Sequence, residues 1–402
     1  MMKNNFFDKI TIGKQTRCPC CNTKRDNKSV LVLMNLPKYP ITEFYRDKKS
    51  AVEKRSLIDQ KVLFCKKCDH MFLESILDIN QVYKNYMTST SSSLGAIICL
   101  KNFYSFIKKN DKKIKNFNLI DIGGNDSTFL KFFKKHKNKK INLDPNGSSD
   151  DSNIEVVNSF IENYDFYRFA NTKNPVAYFS SHTLEHLENP IFLLQNLSRV
   201  LKKKDVLYLQ FPSVEKLIEH KKFDQVCHQH INYFSLKSIN IVLNKLKLYI
   251  HKYEYDTSHF GTLRLKISKQ KNSLFKINKI NTNLYNQANI SYSYFKKYFT
   301  ALQKNLTNIF KGGQGFGAGL MVPILAYYLP VIDSLEFIVE ENKAKVGKKF
   351  INMNPDIKNI KSLNVDKPIL VTSVSTKEAA RNIFKKLSNL GLKDICIPSI
   401  II

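Results

Sequence analysis

The chain has 402 residues, length for two or three domains, and its 43% hydrophobic content supplies ordinary cores. No apolar run approaches the ~20 residues of a membrane-spanning helix. The N-terminal MMKNNFFDKITIGK lacks the apolar core and small-residue cleavage site of a secretory leader; no membrane span and a cytoplasmic location are expected. Lys plus Arg number 64 against 34 Asp plus Glu, a net charge of +30. The lysines are scattered (KKNDKKIK, KKHKNKK, LKKK) and no basic groove with stacking aromatics is visible, which argues against nucleic acid and for an anionic small molecule as partner.

The first segment, residues 10–80, carries five of the eight cysteines. Cys18/Cys21 and Cys65/Cys68 each leave the two-residue spacer that lets both thiolates of a turn reach one ion, so the four predict a structural zinc site. Four thiolates leave no open coordination position, so no catalysis is expected there. Cys20 is a spare, able to replace Cys18 in a differently built turn, and His70 reads as a solvated neighbour. A polar linker follows, Tyr83 to Ser93, in which Tyr83 and Tyr86 precede a hydroxyl-rich run; it reads as a joint or as a substrate-facing loop.

From about 94 to 290 helix and strand patterns alternate. A helix is predicted over 94–109, strands over 118–122, 140–143, 154–157 and 175–180, a helix over 190–200, a strand over 206–211, and a hairpin from 248–255 and 262–268 around His259-Phe260-Gly261. The piece LIDIGGNDSTFL at 119–130 is the most informative. An apolar run ends in Asp121, Gly123 and Gly124 let a ligand approach the backbone, and Asn125-Asp126-Ser127 reads as a helix start. The next strand ends in Asp144, where an acid holds the two ribose hydroxyls of a nucleoside. Ser127 stands where the dinucleotide fingerprint has its third glycine, so the spacing resembles S-adenosylmethionine (SAM) methyltransferases more than NAD enzymes. A parallel sheet with crossover helices and a terminal hairpin suits a SAM-binding fold.

Two segments at strand ends carry histidines: SSHTLEHL, with His182 and His186, and FDQVCHQHINYFS, with His228 and His230. A neutral imidazole there can remove or relay a proton. His182 and His186 have helical i, i+4 spacing, but Glu185 does not reproduce the HExxH order, so a metal is not expected on them. From about 300 a second, smaller α/β unit begins. Its glycine-rich turn at 312–319 leads into an apolar helix over 320–328, and either cradles phosphates or lets the helix pack closely on the sheet. Strands at 335–339, 369–374 and 395–402 and a helix over 377–390 complete it.

Taken in order, the zinc knuckles, IGGNDSTFL, SHTLEHL, HQHINYFSL, HFGTLRLKI, GQGFGAGLMVP and EENKAKVGK resemble the nucleotide-sugar C-methyltransferases over nearly the whole chain. The resemblance implies an N-terminal zinc-binding domain (10–80), a class I SAM-methyltransferase Rossmann-like domain (81–295) and a C-terminal Rossmann-like α/β domain for the nucleotide-linked sugar (296–402). It implies SAM and structural zinc as cofactors, and methylation of a carbon next to the ketone of a 4-keto-deoxysugar through an enolate. It places His230 as the base, His186 near the sugar and Tyr86 on the substrate loop. The SAM contacts expected are Asp121, Gly123, Gly124, Asn125 and Asp144. The family reads Tyr-His-Glu-His where this chain has Cys227-His228-Gln229-His230, a departure that keeps an O- or N-acceptor as the alternative.

Overall fold

In a computed structural model of the chain, the described residues are 12–26, 28–78, 89–169, 172–257, 261–271, 283–374 and 377–398. The centre is a seven-stranded sheet in the order Tyr249–Asp256, Thr262–Ser268, Val206–Pro212, Val176–Ser181, Asn118–Ile122, Lys140–Leu143, Ile154–Val157. Thr262–Ser268 runs antiparallel to both of its neighbours, and the other pairings are parallel. Every residue of Asn118–Ile122 and Val206–Pro212 is buried, as strands covered on both faces require. The strand order reverses between Asn118–Ile122 and Val176–Ser181, so a crevice opens at their carboxyl ends. Helix Leu94–Asn110 starts on Ser93, whose side chain accepts from the Ala96 N–H. Helices Pro190–Val200 and Leu236–Lys245 begin on Asn189 and Ser235 in the same way.

One expected element is absent. No α-helix follows the glycine turn; the next regular element is a single 3-10 turn, Leu130–Phe132. Asn125 (φ 47°) and Ser127 (φ 60°) are left-handed, a conformation that a right-handed helix cannot continue through. Asn142 holds them there, its amide donating to the Asn125 carbonyl and to Ser127 Oγ, both at 2.8 Å.

The N-terminal segment builds a four-stranded antiparallel sheet from Val30–Pro40, Leu57–Cys65, His70–Leu73 and Asn232–Tyr233. Its fourth strand comes from the far end of the histidine segment. The C-terminal unit is a five-stranded parallel sheet, in the order Asp356–Asn359, Phe337–Glu340, Gln314–Phe316, Ile369–Val371, Ile395–Cys396, with helix Lys377–Asn389. It joins the N-terminal segment through Lys348–Phe350, which pairs with Tyr45–Asp47. A 27-residue helix, Leu284–Phe310, leads into it, and the domain edge expected at 295/296 falls inside that helix. The edge at 80/81, the hairpin tip at 258–260 and the last residues of the expected strand 395–402 lie outside the described residues.

Gly315 and Gly319 of the turn at 312–319 allow close packing. Gln314–Phe316 is itself a strand, and a Cβ on Gly315 would sit 2.9 Å from Leu335 Cδ1. A Cβ on Gly319 would sit 2.1 Å from Ser373 Oγ. The helix that follows, Val322–Tyr328, is two residues shorter at its start than the spacing predicts, with Pro323 in its first turn.

Candidate active site

Cys18, Cys21, Cys65 and Cys68 converge, their sulfurs all within 4.8 Å of one another. Two of the separations, Cys18–Cys68 and Cys21–Cys65, are 3.5 Å. A tetrahedron with Zn–S bonds of about 2.3 Å has S···S edges of about 3.8 Å, so the donor set and its spacing fit a structural zinc ion. Asn22 N–H bonds the Cys18 carbonyl and Asp69 N–H the Cys65 carbonyl, closing the two knuckles on left-handed residues. Cys20 is buried but outside the group. His70 is not a solvated neighbour: it is fully buried, and its Nε2 donates to Asn232 Oδ1 at 3.2 Å, which ties the zinc segment to the histidine segment.

The expected SAM residues meet at the crevice, where Asp121, Gly123, Gly124, Asn125 and Asp144 all line one cavity of about 780 Å³. Gly123 has φ 78°, and a Cβ there would lie 2.1 Å from Thr183 Oγ1; a Cβ on Gly124 would meet Asn142 Oδ1 at 2.4 Å. Asp144 accepts from the N–H of Asn125 (3.1 Å) and of Asn146 (2.8 Å), one bond per oxygen. A carboxylate oxygen takes about two bonds, so capacity remains for two ribose hydroxyls. Asp121 is 1% exposed, and its Oδ1 has no hydrogen-bond partner among the described residues. Burial, and then the Asp144 charge, push it up to about 8. The cradle and the unpaired buried oxygen fit a polar ligand such as SAM.

His186 and His230, 44 positions apart, face each other with ring centroids 4.7 Å apart and planes at 76°. His186 Nδ1 lies 2.9 Å from the Gln229 carbonyl, which makes that nitrogen the protonated one. Burial, and then its histidine neighbours, hold His230 down at about 3, so it is neutral over the physiological range. Glu185 completes the group: its carboxylate and the two rings have ligand atoms within 4.8 Å of one another. Burial opposes its charge, but His182 holds it down at about 2 through a 3.1 Å contact. His182 Nε2 in turn lies 3.5 Å from Cys99 Sγ. Tyr86 lies outside the described residues.

The departures of the histidine segment acquire positions. His228 is structural, its Nε2 donating to the Tyr39 carbonyl (3.1 Å) while Gln60 donates to its Nδ1 (3.2 Å). Gln229 exchanges two hydrogen bonds with Thr42, at 3.0 and 3.1 Å. Burial pushes the Cys227 thiol up to about 12, so it is not a nucleophile. The sequence reading missed Glu43, which lines the cavity with these groups; its only local signal is an acid between Thr42 and the apolar Phe44, just after the strand Val30–Pro40.

A seven-stranded sheet in this order, with one antiparallel strand inserted second from its edge and a glycine turn and acid at the carboxyl ends of adjacent strands, defines the class I SAM-methyltransferase fold. Residues 98–252 match the family model described as a methyltransferase domain, so the chain carries a SAM-dependent methyltransferase domain. Among curated proteins it is similar to C-methyltransferase NovU of Streptomyces niveus, 19% identical over 190 residues, 46% of this chain and 45% of NovU, so the match spans less than half of that relative. Among solved structures it is similar to magnesium protoporphyrin IX methyltransferase of Synechocystis PCC 6803 with bound SAH (11% identity, 44% of this chain and 84% of that one, TM-score 0.35). It is also similar to 1,6-didemethyltoxoflavin-N1-methyltransferase of Burkholderia thailandensis (8% identity, 43% and 78%, TM-score 0.34). The fold assignment rests on strand order and the family match, not on these distant structures. No described helix is long and apolar enough to cross a membrane.

Proposed function

We propose that the protein is a SAM-dependent methyltransferase that methylates a carbon next to the ketone of a nucleotide-linked keto-deoxysugar. The observation that carries this reading is the single cavity of about 780 Å³: it runs from the glycine turn past His186 and His230 to Gly319, Asn342 and Lys345 of the C-terminal unit. Its volume is in the upper part of the range for small-molecule sites, about 300–1,000 Å³, room for a cofactor and a second ligand reaching toward the C-terminal sheet. NovU's description as a C-methyltransferase supports a carbon acceptor.

SAM supplies an electrophilic methyl group; the chain's residues must hold the acceptor and move one proton. Asp144 and the turn at Gly123–Asn125 hold the cofactor. His230 handles the proton alpha to the ketone, and His186, its tautomer set by the Gln229 carbonyl, orients the sugar. Tyr86 is assigned to the substrate loop by resemblance alone. Zinc serves the N-terminal fold. The decisive assay incubates the protein with a nucleoside-diphosphate 4-keto-6-deoxyhexose in deuterated water. Loss of the alpha hydrogen followed by SAM-dependent gain of a methyl group is the result expected, and His230→Ala should slow it by roughly 10²–10⁴-fold. Methyl transfer with the alpha hydrogen retained would replace this reading by an O- or N-acceptor, which the neutral Gln229 and weakly basic His230 also suit.

A further inference from the structure

We propose that Glu43, from the N-terminal segment, is a second acid–base residue of this site, the group on which the substrate's alpha proton comes to rest. The inference rests on the carbon-acceptor reading above. Glu43 lines the same cavity as His186, Cys227, His230 and Lys345. Its backbone sits at φ 74°, a conformation that a glutamate adopts only when its surroundings impose it, and such positions gather at active sites.

Those surroundings are on both sides. From the histidine segment, His228 donates to the Tyr39 carbonyl and Gln229 grips Thr42 through both its amide atoms. From the C-terminal unit, Asn352 Nδ2 donates to the Ile41 carbonyl (2.8 Å) and Ile351 N–H to the Phe44 carbonyl (3.0 Å). The residues beside Glu43 are thus clamped by the two other parts of the chain that meet at the cavity. Gln229, the segment's neighbour of His230, cannot ionise and uses its side chain to hold Thr42, in the bend that presents the Glu43 carboxyl group.

The charges around Glu43 suit the task. Tyr45 two residues further on, Lys345 and Glu340 from the C-terminal unit, and Cys227 from the histidine segment couple to it or to each other. Burial raises Glu43 to about 7, with Lys345 opposing. His230 at about 3 is a weak base, whereas a base poised near the working pH is the effective one. In the step proposed, the alpha C–H bond breaks, its proton ends on the Glu43 carboxylate, and its electron pair becomes the enolate. The enolate carbon then bonds the methyl carbon as the sulfonium C–S bond breaks, its pair staying on sulfur to leave S-adenosylhomocysteine.

The test follows alpha-hydrogen exchange of the same 4-keto sugar in deuterated water against pH. With Glu43 as acceptor, exchange by wild type is level above pH ~7 and falls about tenfold per unit below it; with His230 alone it stays level down to about pH 3. Glu43→Gln should slow exchange and methylation by roughly 10²–10⁴-fold, abolish the limb near pH 7 and leave calorimetric SAM binding unchanged. Glu43→Gly, which relieves the left-handed backbone, should fold at least as well and show the same loss. Infrared difference spectra, which need no substrate, should show a carboxyl titrating near pH 7 in wild type that is missing in Glu43→Gln. Wild-type exchange with Glu43→Gln equal to it, or identical infrared titrations, would overturn the role of Glu43. Failure of wild type to exchange, with the infrared signal present, would instead fault the carbon-acceptor reading.

Discussion

Replacing Gly123 by alanine tests the construction of the glycine turn. At φ 78° an alanine pays the left-handed penalty, about 1–2 kcal/mol. Its Cβ would also lie 2.1 Å from Thr183 Oγ1 and 2.8 Å from Cγ2, and Thr183 is not free to swing away because its hydroxyl bonds the Ile122 and Ser181 carbonyls at 3.2 and 3.3 Å. Forcing an extra methyl into such a contact costs about 1–3 kcal/mol. Together Gly123→Ala should lose about 2–5 kcal/mol, a large part of the ~5–15 kcal/mol that holds a domain together. The methyltransferase domain should then melt roughly 5–20 °C lower. SAM should bind more weakly, because the displaced Thr183 lines the same cavity. Circular dichroism melts and calorimetric SAM titrations provide the measurements. Thr183→Ala removes the two overlapping atoms, so the double variant should recover the steric part, about 1–3 kcal/mol, and keep the backbone part. A Gly123→Ala protein that melts and binds SAM like wild type, or a Thr183→Ala change that only adds to the damage, would refute the close approach of strand end and Thr183.

The other expectations concern the metal and the two acids. The purified protein should contain one zinc per chain, and Cys65→Ser should lose it and unfold the N-terminal sheet; full zinc in that variant would mean another ligand set. Asp144→Ala should weaken SAM binding by about 1.5–3 kcal/mol, and unchanged affinity would remove Asp144 from the ribose. Asp121, raised to about 8, is protonated more readily in the folded chain than unfolded, so its contribution to stability declines as pH rises from about 4 to 8. Asp121→Asn should therefore gain on wild type between pH 5 and pH 8 in denaturant midpoint, and an equal difference at both pH values would contradict a buried, raised Asp121.

Local spacing was enough to read what neighbouring residues build. The two CxxC knuckles, the strand that carries Asp121, the acid at Asp144 and most strand limits in the central sheet follow from patterns a few residues long, because a turn is closed by its own hydrogen bonds and a buried strand is marked by its own short apolar run. The helix expected after the glycine turn does not form, for the opposite reason. Its start signal is local, but Asn142, on the next strand, pulls Asn125 and Ser127 into left-handed backbone. Likewise the spacing at 312–319 leaves a phosphate cradle and close packing both open until Leu335 and Ser373 are seen beside Gly315 and Gly319. Packing alone brings His186 within 4.7 Å of His230, buries both and so strips His230 of basicity. Packing also turns Asn232–Tyr233 into an edge strand of the N-terminal sheet, and through His228 and Gln229 fixes Glu43 at the cavity wall. Those contacts join residues from 44 to 189 positions apart, and no pattern along the chain encodes meetings of that span: they are decided by which apolar faces bury together when the three units close.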